Sequence, residues 1–442
     1  MTPTSPDILI IGAGMAGLTA ARTLAESGLR VTVLEATDRV GGRILTHREG
    51  STITELGAEF IHGRPPELWS LIHEAALETY EIEGDHLTIT EGHVQPEDEA
   101  EEEEFRLLDQ LEDWRGPDQT FADFLASHPL AVETRQRITG YVEGFNAADH
   151  RIISAASLGV QQKAEEEIEG DRLFRLRDGY DRLPQFLAQK LLEAGGNIVF
   201  NAPVHRITWT PGKVHVEANT HHTAPRAILA VPLGVLQSQA IAITPLPNAI
   251  REAQRLSMGH VCRFTLLFHE PFWTTLAPRL SFLFSPRTMP PVWWTPHPNS
   301  AATLTGWIGG PRSAALASLT PDQLAEAACA SLAETFSLPA AHLRSLLIRC
   351  VTHDWSRAPT PSAPTATSPQ ARSKPAPSPP NPPPTPSTSP ENTPTPPATG
   401  APSTRPCALA SAPPARSSTA ESVACFPPAA GSLPPHSSLC AS

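Results

Sequence analysis

Three glycines and one acid carry the most legible chemistry in this chain. Gly12, Gly14 and Gly17 form G-x-G-x-x-G directly after the apolar run Asp7 to Ile11, and Glu35 closes the next such run, Arg30 to Glu35. In a strand–turn–helix unit the first glycine permits a tight turn, the second lets backbone approach a pyrophosphate, and the third lets helix and strand pack closely. The helix reads from Met15 to Ser27 and is ended by Gly28, with Leu18, Ala21, Leu24 and Ala25 as its buried stripe. Met15 and Ala16 open it, so their unpaired N–H groups and the positive end of the helix dipole face the phosphates. Glu35 lies about 20 residues downstream, where this kind of fold needs an acceptor for a ribose 2′-hydroxyl. Strand, glycines, helix and acid together read as a βαβ cradle for a nucleotide diphosphate.

A second glycine turn follows at Asp38, Arg39, Gly41, Gly42 and Arg43. Arg43 can fork two donors onto phosphate oxygens, which a lysine cannot do. Taken alone, the motif also fits a surface arginine beside a flexible loop.

The two turns in sequence resemble the flavin-dependent amine oxidase superfamily, in which the second turn also embraces the FAD pyrophosphate. The resemblance continues along the chain. Glu55 to Gly63 is similar to the segment that passes beneath the flavin, and its Ile-His-Gly ending is closest to polyamine and spermine oxidases. It makes Gly57, Ala58, Glu59 and Phe60 cofactor-lining positions, the first two small because the isoalloxazine lies against backbone. Val204 matches the residue whose main chain meets the adenine. Val231 to Leu236 matches a turn near the cofactor, and His353 to Ser356 the last landmark before a second cofactor segment. The fold so implied is α/β: a Rossmann-like FAD-binding domain (1–80 and 196–270) with an inserted substrate domain (81–195 and 271–357), followed by a disordered Pro-rich tail (358–442).

One departure touches the reaction. Many members carry a lysine that holds a water near flavin N5; the matching place after Gly259 is Arg263. An arginine stays protonated, so it can hold a water but cannot carry a proton, and it serves equally well as a structural ion-pair residue. His62 falls at the pocket mouth, where it either bonds the amine and tunes its protonation or is a partly buried histidine satisfied by backbone. The reaction implied by the resemblance moves a hydride from the carbon beside a neutral amine nitrogen to flavin N5, after which the imine hydrolyses and dioxygen is reduced to hydrogen peroxide. FAD supplies the reactivity, so neither a nucleophile nor a metal is required. A desaturase or porphyrinogen-type flavin oxidase shares the N-terminal motif, and a non-catalytic remnant with an interaction tail is the reading from another class.

Bulk properties agree with an enzyme. The chain of 442 residues can hold two or three domains, and its net charge of -13 opposes a nucleic-acid partner. The six cysteines form no C-x-x-C pair, which points to a reducing compartment. No apolar run approaches a membrane span, so a cytoplasmic protein with no membrane partner is expected. Between the motifs, Asn197 to Trp209, Lys213 to Glu217, Ala227 to Val231 and Arg263 to Phe268 read as strands, and Pro321 to Thr335 as a helix with Thr320 as N-cap. The acidic stretches Glu97 to Glu104 and Glu165 to Glu169 read as solvated surface or mobile loop.

Beyond Arg357 the periodic signal ends. Pro, Ser, Ala and Thr dominate 358–442, a composition that cannot offset the entropy of ordering. Reading the overlapping frame one base earlier, Ala363 to Thr367 can spell Gly-Ala-Tyr-Ser-Tyr, a segment found in the resembled family. Pro390 to Thr404 permits Gly-Glu-His-Thr-Asp-Thr-Thr-Gly-His-Trp-Gly-Thr-Val-His, another such segment in the right order. The tail is therefore expected to derive from a frameshift near Ala358. A Pro-rich linker presenting polyproline-II ligands is the competing reading.

Overall fold

The computed structural model describes residues 5–90, 93–96, 100–285, 288–355 and 422–425. They belong to one compact unit spanning 1–359 and 414–442, while a second unit, 360–413, lies outside the described residues.

The βαβ unit forms as the glycine pattern requires. Strand Ile8–Ile11 runs into helix Met15–Glu26 and returns as strand Val31–Leu34, in parallel register with Ile8 opposite Val31. Gly28 ends the helix at φ +87°, a left-handed conformation that costs glycine little. These strands are central in a five-stranded sheet ordered Asn197–Val199, Val31–Leu34, Ile8–Ile11, Arg226–Val231, Ser422–Cys425. Every pairing but the last is parallel, and both faces of the sheet are covered, as parallel sheets need. Ile8, Ile10, Val31 and Val33 pack under helices Met15–Glu26 and Arg182–Glu193. Leu9, Ile11 and Leu34 meet Ile207, Val214 and Val216 of a four-stranded layer on the other face.

A seven-stranded sheet forms the second layer system, with Val261–Phe268 between Leu347–Thr352 and Thr303–Gly309. The period of two sends Phe264, Leu266 and Phe268 into a core against helix Pro321–Thr335, so Arg263 and Thr265 face the opposite way. A third element group, the helices Ala100–Glu112, Phe121–Ala126, Val132–Asn146 and Ala155–Glu166, encloses its own core around Phe121 and Phe124. A small sheet joins Ile61–His62, Leu173–Leu176 and Thr79–Glu81.

Four expectations change. The run Asn197 to Trp209 is two strands, Asn197–Val199 and Arg206–Thr210, in different sheets, because residues 201–204 turn to bond the end of the second βαβ strand. Val261–Phe268 belongs to the seven-stranded sheet although it falls within 196–270, since its apolar face completes the core under Pro321–Thr335. Part of the acidic stretch, from Ala100 onward, is the start of helix Ala100–Glu112, whose Leu107, Leu108 and Leu111 are buried. Within the tail, Ser422–Cys425 adds antiparallel to the open edge of Arg226–Val231, where the strand's unpaired N–H and C=O groups template a partner. The rest of the expected disordered tail, and the frameshift segments, lie outside the described residues. No helix among the described residues is long and apolar enough to cross a membrane.

The helix Pro321–Thr335 starts on a capping box: Thr320 Oγ1 accepts from the Gln323 N–H at 3.3 Å, and the Thr320 N–H donates to Gln323 Oε1 at 2.9 Å. Thr320→Ala should therefore lower stability by about 1 kcal/mol, measured as a lower urea midpoint at unchanged slope.

Candidate flavin and substrate site

The glycine turn is held by close approaches that no side chain could tolerate. A Cβ on Gly12, at φ +105°, would stand 2.3 Å from the Ala230 carbonyl oxygen, and one on Gly17 would stand 2.0 Å from the Gly12 carbonyl oxygen. The helix that follows has Gly14 as N-cap with no side-chain acceptor, so the N–H groups of Met15, Ala16 and Gly17 have no capping side chain. Glu35 comes to this turn from the end of the neighbouring strand. Its buried carboxylate accepts from the Ala13 N–H at 2.8 Å, and from the N–H and Oγ1 of Thr37 at 2.9 and 2.8 Å. The Ala202 N–H donates to the Glu35 carbonyl at 2.8 Å, which brings the chain leading to buried Val204 beside it.

The second turn docks on the first. The Gly41 N–H donates to the Ala13 carbonyl at 2.9 Å, and Gly41 and Gly42 both adopt positive φ. Arg39 is occupied in shaping this loop, donating to the carbonyls of Val40, Gly42 and Ile44 at 3.2, 2.8 and 2.9 Å, and burial draws its guanidinium below the usual range. Gly57 lies against the main chain of Arg43: a Cβ there would be 1.8 Å from the Arg43 carbonyl oxygen and 3.1 Å from Trp355. The Ala58 N–H donates to that carbonyl at 3.2 Å, and Trp355 Nε1 donates to the Leu56 carbonyl at 2.8 Å. The structure thus gathers Gly12, Gly14, Met15, Ala16, Gly17, Glu35, Gly41, Gly42, Arg43, Gly57 and Ala58 along one contiguous run of backbone. A bare helix N-terminus, an acid beside it and glycines whose Cβ positions are filled by backbone suit a dinucleotide with a flat ring system.

Glu59 and Phe60 have a different setting. Glu59 sits between two buried arginines: Oε1 accepts from Arg175 Nη2 at 2.8 Å, and Oε2 accepts from Arg263 Nη2 and, at 3.1 Å, from Trp294 Nε1. Arg263 Nη1 also donates to the Gly57 carbonyl. Its guanidinium lies 5.5 Å from the Trp294 ring centroid, and that of Arg175 lies 4.9 Å from the Phe60 ring. Burial lowers the Arg263 pKa, with Glu59 and Glu55 acting against it. Arg263 is thus held in an ion-pair cluster that reaches the backbone of Gly57. Arg175 and Trp294 escaped the sequence reading. The alternation Leu173-Phe174-Arg175-Leu176 is the signal that could have found Arg175, for it buries Phe174 on one face of a strand and sends the arginine to the other.

His62 is half-buried between Phe60 and Phe145, ring centroids 6.2 and 5.6 Å apart, both edge-on. Burial holds its pKa down at about 4, so the ring is neutral near pH 7. Glu55 is buried behind Glu59, and burial pushes its pKa up to about 7 despite bonds from the Tyr180 N–H and Thr46 Oγ1, both at 2.7 Å.

This fold and cradle define a dinucleotide-dependent oxidoreductase class, and sequence comparison places the chain within it. The profile of the family described as "Flavin containing amine oxidoreductase" matches residues 15–116 and 90–385; the chain belongs to that family. Its relatives include polyamine oxidase 2 of Arabidopsis thaliana, 30% identical over 64% of this chain and 62% of that protein, and putrescine oxidase of Kocuria rosea, 27% identical over 80% and 79%. The chain thus spans under two thirds of the length of that polyamine oxidase. Among solved structures, wild-type putrescine oxidase bound to putrescine superposes with a TM-score of 0.67 at 25% identity, covering 78% of this chain and 84% of the other. Cyclohexylamine oxidase from Brevibacterium oxydans IH-35A, at 24% identity and a TM-score of 0.67, shares the fold over 80% and 85% of the two chains.

Two outcomes follow from the site. Glu59→Gln removes the one carboxylate that both buried guanidiniums bond and should cost about 3–5 kcal/mol, read by denaturant unfolding. The second concerns pH. Glu55, with a folded pKa of about 7 against an ordinary 4.5, favours the folded state when protonated, a contribution lost as pH rises from the unfolded value to 7. His62, at about 4 against 6.5, favours it when neutral, a contribution lost as pH falls from 6.5 to 4. The two oppose each other between about pH 4.5 and 6.5. Across that window Glu55→Gln should make stability rise with pH, and His62→Gln should make it fall.

Proposed function

We propose that this protein is an FAD-dependent amine oxidase that converts a primary amine or polyamine to an imine while dioxygen is reduced to hydrogen peroxide. The observation that carries the reading is the meeting of the Glu35 carboxylate with the Gly12–Gly14 turn beside an uncapped helix N-terminus. Bound FAD supplies hydride acceptance and reoxidation by dioxygen. The N–H groups of Met15, Ala16 and Gly17 receive the pyrophosphate, Glu35 exchanges part of its backbone bonding for ribose hydroxyls, and the Arg43 side chain adds charge at the phosphates. Gly57 and Ala58 leave room for a ring against the chain. Val204 presents main chain to the adenine. The Glu59 cluster fixes the backbone of that segment through the Gly57 carbonyl, and Arg263 holds a water rather than moving a proton. His62 is uncharged near neutral pH, so it can accept a hydrogen bond from an amine without repelling the ammonium form that arrives from water. Polyamine and putrescine oxidases among the relatives support an amine substrate.

The sequence after Arg357 lacks the second cofactor segment of the resembled family, and we attribute this to a frameshift near Ala358. The chain as written should then bind FAD weakly and turn over little. Purified protein tests the reading: a yellow preparation bleached anaerobically by spermine or benzylamine, with peroxide released on admitting air, is the expected result once the upstream frame is restored. The unrestored chain should carry at least ten-fold less flavin. A restored chain that stays colourless in excess FAD would refute the assignment.

A further inference from the structure

Helix Val132–Asn146 ends against the seven-stranded sheet through contacts between main chains. A Cβ on Gly309 would stand 2.5 Å from the Gly144 carbonyl oxygen, and one on Gly259 would stand 2.3 Å from that of Ala147, so only glycine admits the helix end at either place. The last carbonyls of a helix have no partner within it. Here the sheet supplies one from a side chain: Trp307 Nε1 donates to the Gly144 carbonyl at 2.9 Å.

Trp307 is half-buried in strand Thr303–Gly309, whose other residues are all buried. It lies opposite Arg263 in the pairing of that strand with Val261–Phe268, and its ring centroid is 6.1 Å from that of Trp294, which bonds Glu59. Residues opposite each other in an antiparallel pair share a face. The face of the sheet that carries Arg263 therefore also carries the tie to the helix end.

The residue after Gly144 is Phe145, whose ring meets His62 edge-on with centroids 5.6 Å apart and stacks on Tyr141, again at 5.6 Å. Fixing the Gly144 carbonyl fixes the backbone that aims this ring. Phe145 in turn supplies part of the burial that keeps the His62 imidazole uncharged near neutral pH.

We propose that Trp307 is a positioning residue for His62, acting through the Gly144 carbonyl and the Phe145 ring, and that by holding His62 in place it governs how tightly the amine is bound. This role rests on the reading of His62 as the hydrogen-bond acceptor for the substrate amine. An indole suits it, because one donor sits on a rigid ring. A phenylalanine in its place fills much of the same space and donates nothing, so the last turn of the helix opens locally, the Phe145 ring moves with it, and water reaches the imidazole. A tryptophan that only filled space would produce neither effect when replaced by phenylalanine.

The first readout needs no flavin. In the full chain with isotope-labelled histidine, the His62 NMR signal, identified by its loss in His62→Gln, should stay that of a neutral ring down to about pH 5. Trp307→Phe should raise its titration midpoint by about one pH unit, and Phe145→Leu should do the same. The double variant should add nothing to Phe145→Leu alone, because the effect of Trp307 passes through that ring. Thr320→Ala, which destabilises the fold away from this joint, should leave the midpoint unchanged. Should Trp307→Phe fail to fold, Trp307→Leu, smaller and equally without a donor, gives the same reading. In the holoenzyme with the upstream frame restored, Trp307→Phe should raise KM for benzylamine about five-fold at unchanged kcat, as loss of uniform binding does. A midpoint unmoved by Trp307→Phe, additive midpoint shifts in the double variant, or a KM that stays the same while the midpoint moves would each overturn the proposal. A restored chain that stays colourless refutes the oxidase reading instead, and the titration still decides whether Trp307 positions His62.

Discussion

The half-buried carboxylate of Glu59 ties two separate sheets together. It belongs to the segment between Glu55 and Gly63, while Arg175 comes from the small sheet that carries His62, and Arg263 and Trp294 come from two strands of the seven-stranded sheet. Ion pairs of this kind gain little net stability over apolar packing, because desolvation consumes most of the Coulomb attraction. Their value is geometric. Four donors on one carboxylate and the Gly57 carbonyl restrict the separation and angle between the layers far more sharply than a patch of leucines would. The backbone at Gly57 is thus fixed from the seven-stranded sheet.

On the cofactor side the constraint is steric rather than electrostatic. Gly12 against Ala230, Gly17 against Gly12 and Gly57 against Arg43 are contacts between main chains, each closer than any Cβ could be. Such contacts leave amide groups lining the surface in place of side chains, which a pyrophosphate and a flat heterocycle require. The two kinds of constraint meet at Gly57, whose carbonyl receives Arg263 and whose α-carbon rests on Arg43.

Legibility in the sequence followed the range of the interactions. The βαβ cradle was readable because its signals are local: glycines at fixed offsets, an apolar period and an acid at the strand end. The helix Pro321–Thr335 and its Thr320 cap were readable for the same reason. The Glu59 cluster was half visible. Glu59 and Arg263 were marked by the family resemblance, yet their pairing spans more than 200 residues and leaves no periodic trace. Arg175 and Trp294 lay in segments whose short strands, four and three residues long, offer little pattern. Strand Ser422–Cys425 was hidden by composition, since an edge position asks only for main-chain partners and tolerates a sequence with little core to offer.

The arginine at 263 gains meaning from the cluster in which it stands. A lysine has one nitrogen at the end of a flexible stem and could not sustain the same two-sided geometry toward the Gly57 carbonyl and the Glu59 carboxylate. The guanidinium reaches both with separate nitrogens and stays charged even where burial lowers its pKa. The proton-carrying option is given up in exchange, because a group with so high an intrinsic pKa does not release a proton near neutrality. Arg263 is therefore better understood as the joint between the seven-stranded sheet and the backbone at Gly57.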